Sequence, residues 1–332
     1  MNRYASVNRY ASVSRYADDG DPHDPALSRV PADVEGLADL VRARYTGDRG
    51  LRRIRDLAAL LAEKRPVHRL LPLLERVPAE PGPWAELVAC LTQELVVRRV
   101  DLTRVPAAVR CASALRKLGH PLAELPLKRS RGERHLRPCD FPWRDQCGFS
   151  VPEHPRIEGD ARPARTPVCE PRVVSTGRDE RLITSAVRHW SSASLVVVIE
   201  LPRRFDPREM ASGVNAFLPE SRRAEGVLNG RLESLDTVVG ELFTAACCDA
   251  LFSSKGSRGG YGRMRAWQSV AGLVRAPADA SVHRINELAA RWTWMAFGIT
   301  RREPYWVDRE LAIGALSPRG NVLSLLISHD TD

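Results

Sequence analysis

The sequence predicts an α+β protein, in which an N-terminal helical bundle or short helical stack precedes a mixed domain with a mainly antiparallel sheet. Three observations carry this. Apolar residues recur at intervals of three and four from Asp33 to Leu118. A β-branched run, Leu195-Val196-Val197-Val198-Ile199, has the composition of a buried strand. Near the C-terminal end, Glu310–Leu316 and Val322–Ser328 flank Ser317-Pro318-Arg319-Gly320-Asn321, which is turn chemistry between two strands of a hairpin. One strand, several helices and then a run of strands is an α+β order, not a βαβ array.

The helical half divides into five short amphipathic segments. Val34, Leu37, Val41 and Tyr45 form the first stripe, and Leu51, Ile54, Leu57 and Leu61 the second. Val67, Leu70, Leu71, Leu74 and Val77 form the third, which Pro72 should kink or shorten. Pro83 and Pro106 each suit the first turn of a helix, where the missing N–H costs nothing. Gly119 suits the stop of the fifth.

Past the helical half, 120–172 holds nine of the 24 prolines and few aliphatic residues, and so reads as a linker. Helices are expected over Leu182–Trp190, from an Asp206-Pro207 cap through Leu218, over Leu235–Leu251, from about Met264 to Val274, and from a Ser281 cap through Arg291. Trp292, Trp294 and Ala296 alternate as in a strand. The hexapeptide Asn-Arg-Tyr-Ala-Ser-Val occurs twice from Asn2, a repeat too short for a solenoid unit. The expected organisation is a disordered tail at 1–31, a helical domain at 32–119, the linker at 120–172 and an α+β domain at 173–332.

Composition narrows the function classes. The net charge of +9 suggests an acidic partner, nucleic acid first. Lysine, however, occurs only at Lys64, Lys117, Lys128 and Lys255, so the charge is almost all arginine and is spread along the chain, as codon bias in a GC-rich genome would write it. Nucleic acid is therefore the weaker expectation and a protein partner the stronger. Seven irregularly placed cysteines do not form a secreted disulfide framework. No apolar run reaches the length of a membrane span and no secretory h-region is visible, so a cytoplasmic protein is expected. No Gly-x-Ser-x-Gly elbow, P-loop or His-Glu-x-x-His occurs, no cofactor is indicated, and a non-enzymatic interaction or ligand-binding protein is expected over an enzyme.

The segment that could carry chemistry is Lys255, Gly256, Ser257, Arg258, Gly259, Gly260, Tyr261, Gly262 and Arg263. A glycine-rich loop before a helix exposes backbone N–H groups to an anion, and Lys255, Arg258 and Arg263 could add charge-assisted contacts. An enzyme holding a phosphorylated or nucleotide substrate there, with Asp308 or Asp330 as acid/base or metal ligand, is the alternative. The competing structural reading is an interhelical turn that needs positive φ. His135, Cys139, Cys147 and His154, with Cys169 as a spare, are zinc-type ligands in spacing that matches no known finger. Glu310, His329 and Asp332 add carboxylates and an imidazole near a strand end. Lys128–Arg144, with Phe141 and Trp143, is a basic stretch that could grip a phosphate backbone. Trp190, Trp267, Trp292, Trp294 and Trp306 read as core fillers.

Gly259-Gly260-Tyr261-Gly262-Arg263, followed by Ala266-Trp267-Gln268-Ser269, resembles a family of uncharacterised actinobacterial proteins catalogued as a domain of unknown function. That family's C-terminal motif looks like Gly-Gly-x-Tyr-Gly-Arg, two residues, then Ala-Trp-x-Ser. Val187-Arg188-His189-Trp190, Trp292-Thr293-Trp294, Trp306 with Asp308, and Asp330-Thr331-Asp332 match it further. The resemblance covers 182–332 well and implies no activity. Ser257-Arg258 and His329 depart from it.

Overall fold

The structure is a computed structural model that describes residues 34–45, 47–138, 171–190, 194–214, 227–247, 256–300 and 309–330. The expected tail, Cys139, Cys147, His154, Cys169, Phe141, Trp143, Lys255, Trp306, Asp308 and Asp332 lie outside these residues.

The helical half is α1 (Val34–Arg44), α2 (Gly47–Lys64), α3 (Val67–Glu75), α4 (Pro83–Val97) and α5 (Pro106–Lys117). Pro83 and Pro106 stand in the first turns of their helices and Pro72 lies inside α3. Gly119 ends the run at φ +69, a conformation that glycine adopts without a Cβ penalty. α4 is buried nearly all round, so it is the axis of this half, and α2 packs along it. Two 3₁₀ turns follow, Pro121–Glu124 and Arg131–Glu133. Leu122, Ala123, Leu125 and Leu136, all in the stretch expected to be a linker, are buried in the main core.

The C-terminal half contains β1 (Arg172–Val173), α6 (Gly177–Ile183) with a 3₁₀ extension Thr184–Val187, β2 (Leu195–Glu200), α7 (Pro207–Gly213), β3 (Val227–Glu233), α8 (Leu235–Cys247), α9 (Gly259–Leu273), α10 (Val282–Ala289), β4 (Thr293–Thr300), β5 (Arg309–Leu316) and β6 (Val322–Asp330). The six strands form one antiparallel sheet in the order β1-β2-β6-β5-β4-β3. The expected α+β class is what the chain adopts. In the β5–β6 hairpin Gly320 sits at φ +68, and a Cβ there would press on the Phe205 carbonyl.

The sheet is buried on both faces, which explains its near-continuous apolar strands. Val198, Trp294, Ile313, Ala315 and Leu326 face the helices and join the core that α1–α5 build. Val197, Ile199, Met295, Phe297, Leu323 and Leu325 face the other way and pack with Phe205, Met210 and Val214 around α7. Residue parity along each strand separates the two sets, as a period of two requires.

Several elements differ from the sequence reading, among them a short β1 within the expected linker boundary and an α10 that ends at Ala289 instead of Arg291. The helix expected over Leu182–Trp190 begins earlier, at Gly177, because Thr176 and Asp179 form a reciprocal capping box there. β3 was not anticipated, since Gly230 and the polar Asn229 and Arg231 dilute its strand pattern. α9 starts at Gly259 instead of near Met264, so three of the glycines read as loop are the first turn of a helix.

Candidate functional site

α9 runs between the two halves, packing on α4 and the Pro121–Glu124 turn on one side and on α6, α8 and α10 elsewhere. Its glycines are explained by close approach. A Cβ on Gly259, whose φ is +21, would lie 1.7 Å from a Glu94 carboxylate oxygen. One on Gly260 would meet Leu122 and Gln93, and one on Gly262 would lie 2.2 Å from the Cys247 Sγ. Glycine here lets the backbone sit against neighbouring helices.

Arg263 points inward and is 1% exposed. Its Nε donates to Glu133 Oε1 at 2.5 Å and one terminal nitrogen to Glu133 Oε2 at 2.8 Å. The remaining donors reach the Pro126 carbonyl at 2.7 Å, the Lys128 carbonyl at 2.9 Å and the Gln93 side chain. All five N–H groups of the guanidinium are thus engaged. Glu133 is 0% exposed and also accepts from Trp267 Nε1 at 2.8 Å and from both the backbone N–H and hydroxyl of Ser130. Burial opposes its charge, but Arg263 and these donors hold its pKa below the usual carboxylate value.

A second cluster lies at Tyr261. Its hydroxyl donates to Glu86 Oε2 at 3.0 Å, and the Arg55 guanidinium lies over its ring at 4.0 Å. Arg55 Nε also donates to Glu86 Oε1 at 2.7 Å, and His120 Nε2 lies 3.0 Å from Glu86 Oε2. Because His120 Nδ1 accepts from the Leu122 N–H, Nε2 is the donor to Glu86 in the neutral ring. Burial works against an ionised Glu86, yet hydrogen bonds from His120, Arg55 and Tyr261 bring its pKa down to about 2. Burial and the Glu86 charge push the Tyr261 phenol up. Arg258, the residue before α9, pairs with Asp56 at 3.2 Å and is also nearly buried.

Glu94 completes the set. It is buried against Gly259, and burial raises its pKa to about 7 despite the nearby charges of Arg98 and Arg258. A group of this pKa could exchange a proton near neutrality.

The structure therefore brings Gly259, Gly260, Tyr261, Gly262 and Arg263 into one helical turn, with Gly256 and Arg258 just before it. The guanidinium groups of Arg258 and Arg263 are turned to internal acceptors. The sequence reading did not single out Arg265, which lies half-buried on the opposite side of α9 from Arg263. Only its i, i+4 spacing from Tyr261 could have marked it. Asp330 is fully buried at the end of β6, and His135 is exposed. Among the described residues no group of three or more His, Cys, Asp and Glu side chains could hold a metal ion, and no helix is long and apolar enough to cross a membrane. Trp190, Trp267 and Trp294 are buried in the core.

No curated protein and no solved structure matches the chain. A family model does match, over residues 25–332, and so spans the helical half and the whole sheet. The chain belongs to the family of unknown function DUF6183.

Proposed function

We propose that this is a non-enzymatic binding protein of the cytoplasm and that its contact face is the half-exposed stripe of α9 formed by Tyr261, Met264, Arg265 and Gln268. These residues recur at intervals of three and four and so share one side of the helix. The observation that carries the reading is the contrast between the two sides of α9. On the inner side every donor of Arg263 is satisfied within the fold. On the outer side Arg265 has no hydrogen bond or ion pair among the described residues, and burial, Arg188 and Arg55 lower its pKa. In this reading Gly259, Gly260, Gly262, Arg258 and Arg263 set the helix in place and Arg265 meets the ligand. A protein bearing an acidic segment is the favoured macromolecular partner, and nucleic acid is the weaker one.

The test is a melting panel of nucleotides, sugar phosphates, polycarboxylates and inorganic oxyanions on the full chain, with each compound followed for turnover. A binding protein is stabilised by at least one class without consuming it, and Arg265→Ala removes the stabilisation while melting near the wild-type temperature. A flat panel contradicts the reading. Consumption of a phosphorylated compound would transfer it to the alternative, an enzyme acting on such substrates.

A further inference from the structure

We infer that Arg99, Arg104, Lys128 and Arg131 form a basic surface that holds the phosphate backbone of double-stranded DNA. The inference goes beyond the contact-face reading, and none of these residues stands on α9.

The four cations come from two stretches that lie apart in the chain and are clipped together in the fold. The connection between α4 and α5 carries Arg99 and Arg104, and the segment that leads into the Arg131–Glu133 turn carries Lys128. The Leu102 N–H donates to the Leu127 carbonyl at 2.9 Å, which sets Lys128 beside the α4–α5 connection. Arg129 fixes the rest. Its Nε donates to the Val96 carbonyl at 3.3 Å and one terminal nitrogen to the Val97 carbonyl. The other terminal nitrogen reaches the Glu133 carbonyl at 3.2 Å and the Arg134 carbonyl at 3.3 Å. One guanidinium thus joins the end of α4 to the 3₁₀ turn that carries Arg131. Charge that is spread along the sequence is gathered here by the fold.

These charges are not answered within the fold. Arg99, Arg104, Lys128 and Arg131 are exposed, and none makes an ion pair or side-chain hydrogen bond among the described residues. Arg129 differs, because its guanidinium caps the negative end of the α4 dipole. Arg134 differs too, since Asp236 stands 3.9 Å away. The exposed carboxylate beside the four is Asp101, whose Oδ1 accepts from the Thr103 backbone N–H and hydroxyl. Those hydrogen bonds, joined by the charges of Lys128 and Arg104, lower its pKa, and its single charge offsets only part of theirs. Arg99 adds a second observation. It ends α4 in a Schellman motif, with the Val100 N–H on the Leu95 carbonyl and its own N–H on the Val96 carbonyl, and stands at φ +69. Glycine takes that conformation without strain and arginine does not. A cation held there at a cost in backbone energy points to a use for its charge.

The partner class follows from what accompanies the charge. From Ala85 to Asp140 the chain has no aromatic residue, and none of the exposed large hydrophobics of the described fold stands on the two stretches. Protein interfaces are anchored by aromatic and apolar side chains, and single-stranded nucleic acid by aromatic stacking, so neither finds its anchor here. A membrane surface calls for an apolar anchor beside the charge, and the same absence counts against it. Charge alone suits a polyanion with regularly placed phosphates. The hydroxyls of Thr103 and Ser130 are committed to Asp101 and Glu133, which leaves no group dedicated to the 2′-hydroxyl of RNA. Double-stranded DNA, held through its backbone without base reading, fits this surface.

The experiment is fluorescence anisotropy of a labelled mixed-sequence DNA duplex, titrated with the full chain over a series of salt concentrations. The logarithm of the association constant should fall with the logarithm of salt at a slope of about −3 to −4, as four phosphate contacts give. Arg104→Ala, Lys128→Ala and Arg131→Ala should each weaken binding and make the slope shallower by about 1. Arg99→Gly should weaken it as well while melting at or above the wild-type temperature, because glycine relieves the left-handed residue. Loss of binding in that variant is therefore not loss of fold. Equal binding by wild type and a variant with all four residues replaced overturns the proposal, and so does an absence of binding at low salt. Tighter binding of an RNA duplex, of polyglutamate or of phosphatidylserine vesicles overturns the DNA assignment.

Discussion

Arg263 and Arg265 are two residues apart on one helix and have opposite surroundings. A step of two turns a side chain through about 200°, from the packed side of α9 to its outer side. Arg263 is locked onto Glu133 in the interior. Removing one partner of a buried pair leaves the other charge uncompensated, which costs about 3–5 kcal/mol. Glu133→Ala should therefore lower the unfolding free energy by about that much in a denaturant titration. A midpoint unchanged from wild type would show that the pair carries no stability. Arg263→Lys should not rescue, because a single ammonium cannot meet acceptors spread over Glu133, Gln93, Pro126 and Lys128. None of this was legible in the sequence. Arg258, Arg263 and Arg265 are chemically alike there, and Glu133 lies 130 positions away in a proline-rich stretch that reads as linker.

At the scale of elements, periodicity and capping carried most of the information. The prolines that open α4 and α5, the Asp206 cap of α7 and the Ser281 cap of α10 are local signals, and each works without knowledge of the rest of the chain. The start of α9 is a non-local matter. Glycine has poor helix propensity, so Gly259, Gly260 and Gly262 read as loop. They stand in the first turn of a helix, at positions where Glu94, Gln93 and Cys247 leave no room for a Cβ. Gly262→Ala should thus destabilise the α8–α9 packing, since the new methyl would meet the Cys247 Sγ. Trimming the obstacle with Cys247→Ala in the same chain should recover part of the loss, and a double-mutant cycle of melting temperatures reads the coupling. Strict additivity of the two substitutions would contradict this account of the glycine.

For the whole molecule, the α+β class was legible, but the way its halves join was not. One core runs from Leu37 of α1 to Leu326 of β6, and the 3₁₀ turns after α5 are buried within it. Buried and half-buried carboxylates make stability depend on pH in two opposed senses. Glu94 and Glu241 are raised to about 7, chiefly by burial, so the folded state binds their protons more tightly than the unfolded chain. Their contribution is complete below the unfolded value of about 4.5 and is lost as pH rises to about 7. Glu86, lowered to about 2, contributes above about 4.5 and loses that contribution as pH falls towards 2. Melting temperatures should therefore fall from about pH 4.5 to 7, and Glu94→Gln should flatten that limb. An unchanged limb in this variant would remove Glu94 from the account.

The central claim is that α9 uses one arginine to hold the fold and another to hold a ligand. Melting temperatures of wild type, Arg263→Ala and Arg265→Ala across the same panel of compounds test it most directly. The account predicts that Arg263→Ala melts far below wild type, whereas Arg265→Ala melts near wild type and loses the rise that a compound of the panel gives wild type. The same rise in wild type and Arg265→Ala, or a near-normal melting temperature for Arg263→Ala, would contradict it.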